Sequence, residues 1–187
     1  MPILAAEPNI YPSDLLKLGR ADSNAAGARS WWLFYTRARQ EKSLARDLFQ
    51  RQIHFYLPLV ASQVMVHGRP AQSYVPLLPG YLFVFAAPED RARALMTKRV
   101  VQVLPIEDQS QIEVDLRNIQ RLIGTGEPLV AEMRPQSSLR ARVRAGGLQG
   151  LEGTVIKRGN QSRLVVWVAM LQQGVSLDMQ DVLLEQI

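Results

Sequence analysis

Few residues in this sequence could do covalent chemistry. It has no Cys and only two His, at positions 54 and 67. That removes thiolate nucleophiles, thiolate zinc sites and disulfides, and makes a histidine metal centre or a His-dependent triad a poor fit. Adjacent carboxylates occur at Glu89/Asp90 and Glu107/Asp108, but acids at a helix start or in a turn are explained by the helix dipole and by turn chemistry. There is no P-loop, no glycine-rich dinucleotide turn and no Ser nucleophile elbow. An enzyme finds little support, and no cofactor or metal is implied. What remains is the chemistry of recognition: aromatic rings gathered in two apolar stretches, with Arg37 and Arg39 directly after the first of them.

Those groups need elements to position them. The stretch Val75 to Phe85 reads Val-Pro-Leu-Leu-Pro-Gly-Tyr-Leu-Phe-Val-Phe. Pro79-Gly80 is a turn dipeptide, since Pro presets φ and Gly accepts positive φ. A strand follows, with Tyr81, Phe83 and Phe85 on one face and Leu82, Val84 and Ala86 on the other. Both faces are apolar, so both expect cover. One can go to the domain's own helices; the other must meet a loop, a second domain or another protein. Trp31 to Thr36 is a second strand of the same kind, with Trp31, Leu33 and Tyr35 on one face and Trp32 and Phe34 on the other. Arg37 and Arg39 fall in the loop after it.

The chain of 187 residues, 47% hydrophobic and 21% charged, has the composition of a globular protein with a real core. No apolar run is long enough to span a membrane, and the N-terminus, interrupted by Pro8, Pro12 and Asp14, does not read as a signal peptide. The expected location is the cytoplasm. Net charge is +5, with twelve basic against eight acidic residues between positions 31 and 124. A mild basic excess there is compatible with nucleic-acid contact without requiring it.

Residues 1–29 read as a flexible extension with one helical turn near Leu15–Leu18. Glu41 to Ile53 is a helix whose buried stripe is Leu44, Ala45, Leu48 and Phe49; Trp31 and Trp32 are also assigned to the core. Phe55–Val60, Gln63–Val66 and Gln72–Val75 are extended, forming a hairpin whose tip holds His67, Arg69 and Pro70. A helix over 88–97 starts at Pro88, and Val100–Ile106 is a strand. Ser110-Gln-Ile-Glu113 is a capping box opening a helix through Ile123, stopped by Gly124. This order predicts an α+β fold with one mostly antiparallel sheet. Residues 125–138 read as an interdomain linker. From 139 to 187 five short strands at close spacing predict a small β-barrel, filled by Val143, Val155, Leu164, Val166, Val168, Val175, Leu177 and Val182.

Val143-Arg-Ala-Gly-Gly-Leu-Gln-Gly-Leu-Glu-Gly-Thr-Val155 resembles a KOW motif: strand, glycine turn, two apolar residues three apart, then a glycine opening the next strand. Joined to a Trp-rich first strand, a basic loop and a Pro-Gly-Tyr-Leu-Phe-Val strand, it resembles the NusG family of transcription elongation factors over residues 30–187. Ser30-Trp-Trp-Leu-Phe-Tyr-Thr-Arg and the short hairpin tip lean toward a specialised RfaH-type paralogue rather than the general factor. The resemblance implies an NGN domain at 30–124 and an SH3-like KOW barrel at 139–187, in a monomer with no membrane contact.

It also implies partners. Family members lay a hydrophobic cavity on the clamp helices of the largest subunit of RNA polymerase; the matching positions are Tyr35, Tyr81 and Phe83. Three such rings at ~150–250 Å² each match the largest patch on a typical monomer, ~300–600 Å², and covering them is worth several kcal/mol at ~25 cal/mol per Å². Arg37 and Arg39 lie where the family touches the non-template DNA strand, and guanidinium suits both phosphate and unpaired bases. Arg91-Ala92-Arg93-Ala94 matches the helix start that meets the polymerase gate loop, without the threonines usual there. In the barrel, Met170 and Leu171 take the place of an aromatic that binds either termination factor Rho or a small-subunit ribosomal protein. The implied function is suppression of pausing and termination on a limited set of operons. The alternatives are a general NusG-type factor assisting Rho, or an RNA- or ribosome-binding KOW protein using Arg140, Arg142, Arg144, Lys157 and Arg158.

Overall fold

A computed structural model describes residues 7–17, 29–66, 69–133, 139–158, 161–168, 173–179 and 183–187. Of the residues singled out above, Leu18, His67, Met170, Leu171 and Val182 lie outside the described residues, as do 134–138 of the expected linker. The chain divides into two compact units, Met1–Gln109 and Ser110–Ile187.

The first unit runs β1 (Ile10–Tyr11), β2 (Ser30–Thr36), α1 (Glu41–Gln50), β3 (His54–Tyr56), β4 (Leu59–Val66), β5 (Arg69–Pro76), β6 (Tyr81–Ala86), α2 (Pro88–Leu95) and β7 (Val100–Pro105). An antiparallel sheet in the order β1-β3-β6-β2-β7 forms its frame, and β4 and β5 pair separately as a two-stranded hairpin. The two apolar strands of the sequence are thus central neighbours. Their register sets Trp31 opposite Phe85, Leu33 opposite Phe83 and Tyr35 opposite Tyr81. One sheet face is covered by α1 and α2: Phe34, Phe55, Leu82, Val84 and Ala86 are buried there with Leu44, Ala45, Leu48 and Ala94. Each large side chain so buried contributes about 1.5–3 kcal/mol. On the opposite face Trp31, Leu33, Tyr56 and Phe83 are also buried, while Phe85 and Tyr81 are only half-buried.

Away from the aromatic patch, three expectations change in this unit. Residues 10–17 are not a free tail: β1 adds an edge strand to β3, the Asn9 carbonyl accepts the Leu57 N–H at 2.7 Å, and Leu15 and Leu16 are buried. Two successive leucines are reason enough for the segment to fold back. Phe49 is not core but 48% exposed, on the flank of the α1 stripe, where it meets the edge of Tyr11 at 5.3 Å between ring centroids. And α1 stops at Gln50 rather than Ile53, because Gln52 takes φ 56° and the Ile53 and Gln52 amides turn back to the Leu48 and Phe49 carbonyls, a Schellman ending.

The second unit holds α3 (Gln109–Gly124) beyond its first residue, then β8 (Val130–Met133), β9 (Leu139–Val143), β10 (Glu152–Arg158), β11 (Gln161–Val168), β12 (Gln173–Met179) and β13 (Leu184–Gln186). Ile112, Leu116, Ile119 and Leu122 form the buried stripe of α3. The helix starts at Gln109, so Ser110 lies inside it and the Ser110–Glu113 box does not open it; Gln109 instead donates to the Ile106 carbonyl and holds both backbone groups of Trp31. The strands form one six-stranded antiparallel sheet in the order β13-β9-β10-β11-β12-β8. The linker reading is corrected at 130–133, which pair with β12 as its sixth strand. The glycine turn of the KOW-like stretch is built as its sequence requires: Gly146 and Gly150 adopt positive φ, and Leu148 and Leu151 are buried. Leu164, Val166, Val168, Val175 and Leu177 are buried as expected, with Val165 added from the other side of β11.

Candidate partner and nucleic-acid interface

At one end of the central strand pair the sheet loses its cover. Tyr35 is the penultimate residue of β2, just before a register shift, and stands directly across from Tyr81 at the start of β6. Their ring centroids lie 5.4 Å apart at an interplanar angle of 46°, within the range for favourable aromatic pairs. Tyr35 is 40% exposed and Tyr81 half-buried. Gly80 makes the arrangement possible. It takes φ 84°, and a Cβ there would stand 3.0 Å from the Tyr35 ring, so any larger residue would be strained in backbone and would displace the ring.

The third ring expected in this patch is not at the surface. Phe83 is fully buried between Leu33 and Tyr56 as strand neighbours. Alternation puts it on the same face as Tyr81, but two residues further from the strand end, where the sheet is covered. The exposed aromatic surface is therefore a pair, backed by Phe83 from within. Gln102 of β7, opposite Tyr35, is exposed, and Val101 beside it is 60% exposed. Nothing in their residue types singled them out.

Directly after Tyr35 the chain enters the arginine loop. Arg37, Ala38 and Arg39 are exposed, and Arg39 takes φ 61°. Among the described residues neither guanidinium has an acidic partner, whereas Arg46, Arg93, Arg99 and Arg117 are paired with Glu7, Asp90, Asp47 and Glu113. The loop's backbone is fastened even though its side chains are free. The Thr36 amide donates to the Gly80 carbonyl at 2.8 Å, the Arg37 amide to the Arg99 carbonyl at 2.9 Å and the Gln40 amide to the Arg37 carbonyl at 3.0 Å. Glu41 is buried and its carboxylate accepts the Gly80 N–H at 2.7 Å. Arg99 donates to Asp47 at 2.6 Å and to the side chain of Gln40. Gly80 takes the positive φ its turn dipeptide predicts, whereas Glu41 and Arg99 were missed by sequence reasoning, because their roles depend on contacts across dozens of residues.

The other candidates are engaged elsewhere. Arg91 lies over the Trp32 ring at 4.3 Å, and Arg93 pairs with Asp90 and donates to the Arg51 carbonyl, so the helix start expected to meet a gate loop spends both guanidiniums inside its own domain. In the second unit Arg140 and Arg142 face Glu152, and Arg144 faces Glu185. Such exposed pairs add little stability, but their carboxylates offset part of the positive charge an RNA phosphate would meet. The Glu152 pairing raises the Arg142 pKa, and Arg163 holds the Asp178 carboxyl below its usual value. Among the described residues no group of three or more acids or histidines stands close enough to hold a metal ion, and no helix is long and apolar enough to cross a membrane.

A protein-family model described as "Transcription termination factor nusG" matches residues 29–123. No curated protein matches the chain. Among solved structures, "Domain interaction in Thermotoga maritima NusG" shares 15% identity at a TM-score of 0.49, covering 85% of this chain and 97% of its own. "Crystal Structure of MjSpt4:Spt5 complex conformation B" shares 16% identity at a TM-score of 0.28, covering 84% and 96% respectively.

Proposed function

The chain belongs to the NusG family, and from that premise we propose that it is a transcription elongation factor that docks Tyr35 and Tyr81 on the clamp helices of the largest RNA polymerase subunit. Arg37 and Arg39 then hold the non-template DNA strand, and bridging the two sides of the cleft suppresses pausing and termination. The mechanism is steric and electrostatic, with no bond made or broken. One observation carries the reading: a tyrosine pair, with Tyr35 exposed, is followed in the chain by two exposed guanidiniums that have no acidic partner among the described residues. The pair is smaller than three free rings would be. Its exposed part is on the order of 100–200 Å², worth roughly 2–5 kcal/mol when covered, enough for an anchor within a larger interface. In the same reading the second unit closes as a small barrel and meets a small-subunit ribosomal protein through Met170 and Leu171. The lean toward an RfaH-type specialist acting on few operons also belongs to this proposal.

The test is retention of the full chain on an immobilised clamp-helix fragment, followed by transcription through a pause site and a Rho-dependent terminator. Tyr35→Ala and Tyr81→Ala are expected to weaken retention at least tenfold each, about 1.4 kcal/mol or more. Arg37→Ala with Arg39→Ala should leave retention intact and abolish pause suppression. Retention unchanged by both tyrosine substitutions removes the proposed dock.

A further inference from the structure

The two halves of the site share their fasteners. Gly80 precedes Tyr81 and lies under the ring of Tyr35. Its N–H is held by Glu41, the first residue of α1, and its carbonyl holds the amide of Thr36, which stands between Tyr35 and Arg37. A single residue of the turn is thus tied to the helix on one side and to the junction of ring and arginine loop on the other. Glu41 is 6% exposed, and a carboxylate accepting an amide in so dry a place makes a strong, charge-assisted bond. The loop is closed from its far side by Arg99, whose carbonyl takes the Arg37 amide and whose guanidinium reaches Gln40 and Asp47.

We propose that Glu41 is the positioning residue that couples the aromatic pair to the arginine loop, so that filling one raises the affinity of the other. The proposal rests on the function inferred above and goes beyond it: polymerase and DNA are bound by one cooperative unit rather than two neighbouring patches. The physical basis is the shared set of hydrogen bonds. A ligand that shifts the tyrosine rings shifts Gly80 and Thr36 with them, and through them the loop, so both ligands favour one arrangement of the unit. Coupling of this kind must be reciprocal.

The experiment uses the full chain and two probes, a peptide carrying the polymerase clamp-helix hairpin and a short oligothymidylate. In the wild type, saturating oligonucleotide is expected to tighten peptide binding about fivefold or more, and peptide to tighten oligonucleotide binding by the same factor. In Glu41→Ala that factor is expected to fall to about one, whatever the affinity for each probe alone. Glu41→Gln, which retains an oxygen acceptor for the Gly80 N–H, should restore most of it. The amide proton shift of Gly80 gives an independent readout, displaced in Glu41→Ala and close to wild type in Glu41→Gln. Should Glu41→Ala not fold, Glu41→Asp carries the test: it keeps the charge, falls one methylene short of Gly80, and is expected to lose the factor equally. A wild-type factor of one, or a factor that survives a displaced Gly80 amide, overturns the coupling while leaving the docking site standing. Peptide that fails to bind the wild type at all overturns the functional reading instead.

Discussion

Tyr35 and Phe83 share a sheet face, yet one is 40% exposed and the other fully buried. Strand alternation names the face and cannot name the depth, which depends on what lies over each end of the strand. Hence the sequence identified the rings but overcounted those within reach of a partner. Phe49 shows the same limit on a helix: its spacing fits the stripe of Leu44 and Leu48, but it sits at the stripe's border and packs edge-on with Tyr11. Glu41 was legible only as a first-turn acid. His54 carries a prediction at this scale. Burial, and then the charge of Arg29, lower its pKa below 6.5, against weaker opposing pulls from Asp90 and Asp14. Its buried Nδ1 has no hydrogen-bond partner among the described residues, as suits a neutral ring. Because the folded value lies below the unfolded one, the contribution to stability is complete above pH 6.5 and is lost as the pH falls through 6.5 toward the depressed value. Thermal melts between pH 7.5 and 5 should show that loss, and His54→Gln should flatten it; parallel curves for the two proteins would contradict the assignment.

Among the elements, the central strands and α1 followed from local pattern, since aromatic alternation and an i, i+4 stripe survive without knowledge of neighbours. Strands made by pairing did not. Ile10–Tyr11 and Val130–Met133 carry too few residues for a period, and each is a strand because an edge, β3 or β12, was available to it. Both lie outside residues 29–123, the stretch that matches the family model. Removing residues 1–17 would expose the surfaces that Leu15 and Leu16 cover, a loss of up to about 3–6 kcal/mol. The truncated chain is expected to melt at a clearly lower temperature while still binding the clamp-helix peptide through Tyr35 and Tyr81. An unchanged melting temperature would mean that the segment adds nothing to the fold.

For the whole molecule, the division into two compact units falls at Gln109, ahead of α3, whereas the sequence reading ends the first domain at Gly124. Gln109 is the reason to propose the later boundary for a working fragment. Its side chain grips both backbone groups of Trp31 on β2 and opens α3 at the same time, and the family match runs on through the helix. A fragment ending at Gly124, which keeps the whole matched stretch, is expected to unfold in one cooperative transition; a gradual melt would count against that boundary.

The free guanidiniums of the loop bear on timing as well as on grip. A charged group is felt across a Debye length, about 8 Å at physiological salt, whereas a tyrosine ring acts only on touching. On the proposed function, an approaching nucleoprotein assembly would feel Arg37 and Arg39 before it touched either phenol. Orientation precedes adhesion, and dilute salt should hasten capture far more than it delays escape.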